Sequence, residues 1–207
     1  MTFDLHTHSE FSDGSITISD AHHYLAGHCD YRAVTDHFSA DFHRQHGGYC
    51  SFTGMEIASY FSVSGVKFSA DFLIYGYELN HPIIPSLETC YMEVPKLFAS
   101  IQSLRDAGAK IFHAHPFRTF GWREPEPIVE YLAEYVDGFE CLHPSSDYWE
   151  SIYLLEFCRR NYLLASGGSD SHTVPLELTP YLYLVEEYKE LFTWIPEMAR
   201  RFENEAE

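Results

Sequence analysis

The chain has 207 residues, of which 45% are apolar and 21% are charged, and this balance excludes a disordered chain. With 31 acidic and 13 basic residues its formal net charge is −18, which argues against a nucleic-acid polymer or an anionic membrane as the main partner. No apolar run approaches the roughly 18 residues that a membrane helix needs. We therefore expect a single domain over residues 1–207 with no membrane partner.

The five cysteines are odd in number and form no C-x-x-C pair. A disulfide framework and a structural zinc site are therefore not expected, and the cytoplasm is the default location. The N-terminal residues show no basic region followed by an apolar run, so we predict no secretory leader. The unusual number is 13 histidines, because histidine is the commonest metal ligand.

In the first half of the chain, short apolar runs alternate with polar turns and one helical pattern. Strands are predicted at residues 3–6, 31–35, 51–57 and 66–77, with turns at residues 12–14 and at Ser64-Gly65. Ser19 predicts the N-cap of a helix that reaches His28, and residues 38–49 read as a loop. The last two strands and the turn between them predict a hairpin.

In the second half, strands and helices alternate regularly. Pro95 opens a predicted helix that Gly108 stops, and helices are also predicted after Pro125 and up to Asn161. Strands are predicted at residues 110–113, 139–142 and 162–165, and a helical tail at 186–207 with a break at Pro196. Seven strand-like runs among helices predict an α/β barrel or a doubly wound sheet.

Side chains that can ligate metals fall where these predicted strands end. They are His6, His8, Asp36, His37, Glu56, His113, His115, His143, Asp170 and His172. In a parallel α/β barrel the C-terminal strand ends meet on one face, where such barrels carry their sites. Chance placement of an abundant residue type could explain the histidines at the strand ends. It is the weaker explanation, because Asp and Glu fall at the same positions.

The first of these positions form a candidate ligand set by their spacing alone. His6 and His8 share one face of a strand, so one metal can accept both nitrogens. Asp13 either reaches the same site or is an ordinary turn residue. Adjacent strand residues point to opposite faces, so we favour His37 as a ligand and Asp36 as its orienter or as a turn residue. Glu56 lies in an apolar strand, where a buried carboxylate needs a charge partner such as a metal pair.

The later positions extend this chemistry. His113 and His115 repeat the H-x-H spacing, and Asp170 and His172 follow a glycine-rich turn. Nitrogen and oxygen ligands without thiolate suit Zn, Mn or Fe. Arg118 suits phosphate or carboxylate oxygens, with a surface ion pair as the alternative. The sequence lacks the nucleophile-elbow, P-loop, zincin and dinucleotide-binding motifs.

The order and context of these residues resemble the PHP (polymerase and histidinol phosphatase) family. The matching pieces run from residue 4 to 172 and are Asp4-Leu5-His6-Thr7-His8-Ser9, Ser12-Asp13-Gly14, Thr35-Asp36-His37, Gly54-Met55-Glu56, Ala114-His115-Pro116, Gly138-Phe139-Glu140 and Gly168-Ser169-Asp170-Ser171-His172. Each motif alone is loose, whereas several in the right order are specific. The resemblance implies an irregular (β/α)7 barrel with two or three divalent metal ions (Zn, Mn or Fe) at the strand ends.

The resemblance also implies which residues hold the metals. His6, His8, Glu56 and Asp170 would hold the first ion, Asp13, His37 and His172 the second, and Glu56 with His115 the third. Family members often place another histidine near Gly76-Tyr77, where this chain offers Glu78 and Leu73. Either Glu78 substitutes as an oxygen ligand, or the third site is weak.

The activity implied by the resemblance is hydrolysis of phosphate esters, in which paired metals activate water and clamp the phosphate. The expected catalytic residues are Asp13, His115, Arg118 and His172, and the expected substrate contacts are Arg118, Glu140 and His143. The general acid stays open among His172, His115 and a water on the metals. We expect a phosphatase that acts on a small phosphate monoester. A regulatory domain that binds metal or an anion without turnover, and a hydrolase of another ester, are the alternatives; the oligomeric state is open.

Overall fold

The computed structural model describes residues 1–21, 23, 29–89, 91–120, 125–173 and 182–205. Each predicted strand region contains a strand, although the first two strands have only two residues each. The strands are β1 (Phe3–Asp4), β2 (Tyr31–Arg32), β3 (Gly54–Val63), β4 (Val66–Tyr75), β5 (Lys110–His113), β6 (Gly138–Leu142) and β7 (Leu164–Gly167). The chain is therefore a mixed α/β protein, as the sequence predicted.

The strands form two sheets. Strands β1 and β2 pair in parallel, and β3 to β7 form a five-stranded sheet in chain order. Isolated bridges connect the two sheets, from Thr7 to Ser171 and from His37 to Glu56. Over the described residues the ladders do not close into one sheet, so the structure shows the α/β arrangement without a closed barrel.

The hairpin of β3 and β4 reverses the direction of one strand. Its turn lies at Ser64-Gly65, as predicted, and both residues have positive φ angles of 51° and 79°. This conformation matches the right-handed twist of the paired strands. Strand β4 is antiparallel to β5, whereas β5, β6 and β7 are parallel to one another. The C-terminal end of β4 therefore lies beside the N-terminal ends of β5 to β7, and not beside their C-terminal ends.

Helices cover the connections between the strands. They are α1 (Asp41–His46), α2 (Ile84–Leu87), α3 (Val94–Ser100), α4 (Gln102–Asp106), α5 (Pro116–Phe120), α6 (Glu126–Ala133), α7 (Tyr148–Arg160), α8 (Leu182–Glu187) and α9 (Trp194–Glu205), with 3-10 turns at Gly47–Tyr49 and Lys189–Phe192. In the described part of the chain, none of these helices has the length and apolar character needed to cross a bilayer.

Several predicted helix boundaries differ from the structure. Residues 18–21 and 23 are helical, and Thr17, not Ser19, caps them, because Thr17 and Asp20 exchange bonds between side chain and backbone. The part of that predicted helix from residue 24 to 28 lies outside the described residues. The predicted loop 38–49 contains α1, which buries Phe42 in a small apolar cluster. The predicted tail helix is interrupted just before Pro196: α8 ends at Glu187 and α9 begins at Trp194, so that Pro196 lies in the first turn of α9, where no amide donor is needed.

The tail helix anchors three strands through one aromatic side chain. Trp194 donates from Nε1 to the backbone oxygen of Ala165 in β7 over 2.8 Å. Its ring centroid lies 5.5 Å from that of Tyr75 in β4 and 4.7 Å from that of Phe112 in β5. Tyr75 in turn donates to the backbone oxygen of Leu5 over 2.9 Å. These contacts connect β1 to the larger sheet and fix the strands that carry the polar residues.

Candidate metal centre

His6 and His8 follow β1 and place both imidazole rings in the interior. Their Nε2 atoms lie 3.1 Å apart, and both side chains are fully buried. Thr7 between them points the other way, as the strand period of two requires, and donates to the backbone oxygen of Ala33. The H-x-H spacing therefore brings two ring nitrogens to one point.

Two carboxylates complete a first group (His6, His8, Glu56, Asp170). Oε2 of Glu56 lies 3.1 Å from Nε2 of each histidine. Oδ1 of Asp170 lies 3.4 Å from Nε2 of His6 and 3.2 Å from Nε2 of His8. Four ligand atoms from three distant parts of the sequence thus converge within ligand distance of a single ion.

The first group fits a divalent cation. Nδ1 of His6 lies 2.9 Å from Oε1 of Glu140 and donates to it, so Nε2 presents a lone pair to the two carboxylates. Ligands about 2.0–2.1 Å from a tetrahedral ion lie about 3.3 Å from one another, close to the separations observed. Without an ion, a second proton on His6 provides the positive charge that faces the carboxylates. Burial lowers the pKa of His6, but Glu140 and Glu56 outweigh burial and raise that pKa well above its ordinary value.

A second group (His8, Asp13, His37, His172) lies at the solvent edge of the first. Oδ1 of Asp13 is 3.4 Å from Nε2 of His172 and 3.7 Å from Nδ1 of His8. Oδ2 of Asp13 is 3.8 Å from Nε2 of His37. The ring of His8 stacks between those of His37 and His172, at 4.5 and 4.2 Å. Asp13 is 58% exposed, so this group is open to a ligand from solvent.

Asp36 holds the turn that carries Asp13. This buried carboxylate accepts the backbone amide of Ser9 at 2.6 Å and the hydroxyls of Ser9 and Ser12 at 2.5 and 2.7 Å. Gly14 packs so closely on the backbone of His8 that an added Cβ would lie 2.2 Å from its oxygen. The structure thus places His37 toward the group and Asp36 behind it, where Asp36 holds the turn, which is the second of the two roles expected for it.

A third group (Glu56, Asp71, His115) lies on the other side of Glu56. Nε2 of His115 is 3.0 Å from Oε1 of Glu56 and 3.8 Å from Oδ2 of Asp71. Glu56 therefore presents one oxygen to each of two groups. Burial raises the pKa of Glu56, but His6, His115 and His8 outweigh it and hold that pKa well below its ordinary value. Burial and the nearby Glu56 raise the pKa of Asp71.

Asp71 is a residue that the sequence analysis missed, and Glu78 is one that the structure does not bring to the cluster. Because the hairpin reverses β4, the site lies near the middle of that strand and not beyond its C-terminal end. Leu73 pairs with Glu56, and Asp71 lies two residues earlier on the same face. Glu78 is exposed and lines a different cavity. The signal available in the sequence was Asp71 itself, the single carboxylate in the strand VKFSADFLIY.

His113 does not pair with His115, although their spacing matches that of His6 and His8. Strand β5 ends at His113, and His115 takes a φ of +29°, so the two side chains diverge. His113 is fully buried and its Nε2 lies 3.0 Å from Oγ1 of Thr119. Burial and the neighbouring His115 lower the pKa of His113 to about 3. It is therefore a neutral packing residue.

The expected substrate contacts occupy three different settings. Arg118 in α5 is 55% exposed and donates from Nη1 to Oδ2 of Asp170 over 2.6 Å. Glu140 is fully buried, and its oxygens contact His6 and the backbone amide of His115. His143 is buried with Nδ1 bonded to Ser145, and its Nε2 lies 3.5 Å from Asp170. Of the three, only Arg118 is open to solvent.

A large cavity of about 860 Å³ lies away from these groups. Its lining includes Arg32, Thr53, Tyr77, Glu78 and Phe202, and none of the grouped histidines. Cavity size therefore does not mark the chemistry here, which lies where the ligand atoms converge.

Comparisons with known proteins agree on the fold. Neither a family model nor a curated protein sequence matches the chain. A presumed metal-dependent phosphoesterase from Bifidobacterium adolescentis superposes with a TM-score of 0.66 at 17% identity, covering 89% of this chain and 94% of its own. An amidohydrolase from Chromobacterium violaceum, solved with bound sulfate and no metal, superposes with a TM-score of 0.63 at 17% identity, covering 91% and 97%.

A third structure contains the same fold as part of a larger protein. It is a two-domain protein from Bacteroides vulgatus with a predicted PHP-like metal-dependent phosphoesterase, and it superposes with a TM-score of 0.52 at 19% identity. The match covers 84% of this chain and 52% of that one. At these identities the likenesses show a shared fold: this chain has the fold of PHP-like proteins, in agreement with the resemblance found in the sequence.

Proposed function

We propose that this protein is a metal-dependent phosphoesterase that hydrolyses a small phosphate monoester. The observation that carries the proposal is the first group, in which two imidazole nitrogens and two carboxylate oxygens converge at 3.1–3.4 Å. The shared fold supports it, since two of the structural neighbours described above are named as phosphoesterases. The isolated bridges between the two sheets support an irregular (β/α)7 barrel as the underlying arrangement.

Two or three divalent ions would be held by the three groups. The first ion would take His6, His8, Glu56 and Asp170, the second Asp13, His37 and His172, and the third Glu56, Asp71 and His115. When bound, such ions polarise phosphoryl oxygens and make water more acidic. Ligands of nitrogen and oxygen without thiolate favour Zn, Mn or Fe.

The protein side chains would bind and orient the phosphate at the exposed edge. Arg118 already contacts Asp170, and its guanidinium has further donors that can reach a phosphate oxygen. The metal ions and Arg118 would offset the acidic surface of a chain with a formal charge of −18.

The structure bears on the general acid that the sequence left open. Nδ1 of His172 lies 2.8 Å from the backbone oxygen of Asp170, which only accepts, so Nδ1 carries the proton. Nε2 of His172 then points toward Asp13, as a ligand nitrogen would. Nε2 of His115 likewise faces two carboxylates of the third group. We therefore assign both histidines as ligands, which leaves water as the proton source for the leaving group.

The proposal is tested by a phosphate-release screen of purified protein over a panel of phosphate monoesters. We expect turnover with added Mn²⁺ or Zn²⁺, loss of turnover with a chelator, and recovery when the ion is restored. An aryl ester and an anilide in the same panel test the alternative hydrolases. Metal binding without turnover of any substrate would favour the regulatory domain, and absence of metal binding between pH 6 and 8 would refute the whole assignment.

A further inference from the structure

Glu140 lies in β6 with its side chain fully buried, and its two oxygens contact two different groups. Oε1 lies 2.9 Å from Nδ1 of His6, a member of the first group. Oε2 accepts the backbone amide of His115, a member of the third group, over 2.7 Å. One carboxylate therefore touches residues of both groups without itself facing solvent.

The contact with His6 determines which ring nitrogen is free to bind an ion. A carboxylate only accepts hydrogen bonds, and a neutral imidazole has one donor and one acceptor nitrogen. Beside Glu140, Nδ1 of His6 must therefore be the donor. Nε2 is then the acceptor and points toward His8, Glu56 and Asp170, as required of a ligand.

The contact with His115 holds a residue in an unfavourable backbone conformation. His115 has a φ of +29°, which residues other than glycine rarely adopt. Such a conformation persists only when its surroundings enforce it. The preceding amide of Ala114 donates to the backbone oxygen of Asp71 over 2.9 Å. The chain is thus fixed on both sides of the point where His115 turns toward Glu56.

We propose that Glu140 is a positioning residue that selects the Nδ1-protonated form of His6 and fixes the backbone of His115, thereby linking the first and third groups. The proposal rests on the proposed metal-dependent function. It replaces the expected role of Glu140 as a substrate contact, because both of its oxygens are already engaged. His6, Glu140 and His143 also lie close enough together to hold an ion, but the engagement of both Glu140 oxygens favours the positioning role.

The test is a comparison of Zn²⁺ affinity between the wild type, Glu140→Gln and a matched control, Asp137→Asn. In Glu140→Gln one of the two contacts must meet an N–H₂ group instead of an oxygen. If the amide oxygen keeps the bond to His115, the amide nitrogen donates to Nδ1 of His6 and moves the ring proton to Nε2, where it blocks the ion. We expect Zn²⁺ affinity to fall roughly 10–100-fold.

Asp137, which immediately precedes β6, is a close match for Glu140. Its Oδ2 accepts the backbone amide of Ile111 in β5 over 2.9 Å, and its Oδ1 pairs with Arg105. Asp137→Asn therefore disturbs the same pair of strands without touching the groups. We expect its Zn²⁺ affinity to stay within about twofold of the wild type. Equal losses in both variants would reduce Glu140 to a structural role and overturn the proposal.

A second measurement needs no variant of Glu140. Long-range 1H–15N correlation on metal-free protein, recorded at alkaline pH where the His6 ring has lost its second proton, reports which nitrogen of each histidine is protonated, and the His6 signals are assigned by their loss in His6→Asn. We expect Nδ1–H on His6; a neutral ring with Nε2–H would overturn the proposal. Wild-type protein that binds no Zn²⁺ would instead refute the proposed function, whereas unchanged affinity in Glu140→Gln would refute only this inference.

Discussion

Arg118 donates from Nη1 to Oδ2 of Asp170 over 2.6 Å. The other oxygen of Asp170, Oδ1, lies 3.2 Å from Nε2 of His8, so the carboxylate faces the first group with one oxygen and the guanidinium with the other. Burial raises the pKa of Asp170, but the bonds from His143 and His8 outweigh it, and the pKa is lowered. An arginine that sits on the outer side of a candidate ligand is well placed to meet an anion approaching from solvent.

Replacing Arg118 by alanine should raise KM for a phosphate monoester, because a ground-state contact is lost. If the contact strengthens in the transition state, kcat should fall as well, and kcat/KM should drop by roughly 100-fold. Metal content should change little, since a guanidinium is not a ligand and Oδ1 of Asp170 keeps its place. Arg44→Ala is the matched control, because Arg44 pairs with Asp41 and Glu88. Steady-state kinetics and metal analysis of both variants decide the matter. Unchanged kinetics in Arg118→Ala would show that Arg118 does not bind the phosphate and is only the partner of Asp170 in a surface ion pair.

Replacing His8 by alanine should abolish most metal binding, because the ring contributes to the first and second groups. We expect phosphatase activity at least roughly 100-fold below the wild type, with the fold retained as judged by circular dichroism. His23→Ala is the control, since His23 is exposed on the short helical segment that Thr17 caps. Near wild-type metal content and activity in His8→Ala would contradict the assignment of the first group.

Asp71 and Glu78 offer a paired test of the third group. Asp71→Asn should lower the number of bound ions or weaken one of them by roughly 10-fold or more, because a neutral amide replaces a carboxylate beside His115. Glu78→Gln removes the same charge three residues beyond the end of β4 and should leave ion binding unchanged. Equilibrium dialysis followed by metal analysis measures both. Loss of an ion in Glu78→Gln alone would reverse the assignment.

Metal binding should release protons near neutral pH. The pKa of His6 in metal-free protein is raised well above 6.5, and that of His8 is also raised, because bonds from Asp170 and Glu56 outweigh burial. Below these raised values a proton competes with the ion for each ring, so affinity should rise with pH and level off above them. Titration calorimetry in two buffers of different ionisation heat should show about one to two protons released per first ion at pH 7. A heat independent of the buffer would contradict this.

Much of the candidate site could be predicted because its residues follow strands at fixed spacing. The pair His6 and His8 depends only on the strand period, and the sequence placed Glu56 and Asp170 with them through the resemblance of their motifs. The helix in residues 38–49 could not be predicted, because its six residues carry no periodic pattern and are stabilised by contact with Phe11 and Ile16. Short elements of this kind depend on tertiary packing more than on propensity.

The roles of Glu140 and Asp71 needed three-dimensional information. Nothing in the spacing of Glu140 says that both its oxygens are engaged inside the protein, and its motif is equally compatible with a residue that contacts substrate. Asp71 was missed because the strand direction, not the presence of a strand, decides which residue reaches the site. The predicted hairpin implied that β4 runs antiparallel to β3. Only the register of the two strands, however, shows that Asp71 is the residue near Glu56.

The two-residue turn at Ser64-Gly65 has a consequence far from where it lies. It sets Ala58 opposite Asp71 and Glu56 opposite Leu73, so all four side chains share one face. One residue added to this turn would slip the pairing by one position and send Asp71 to the other face of the sheet. The length of this turn therefore determines which residue of β4 faces Glu56 and His115. In related chains with a hairpin turn of different length, we expect another residue of the strand to take the place of Asp71.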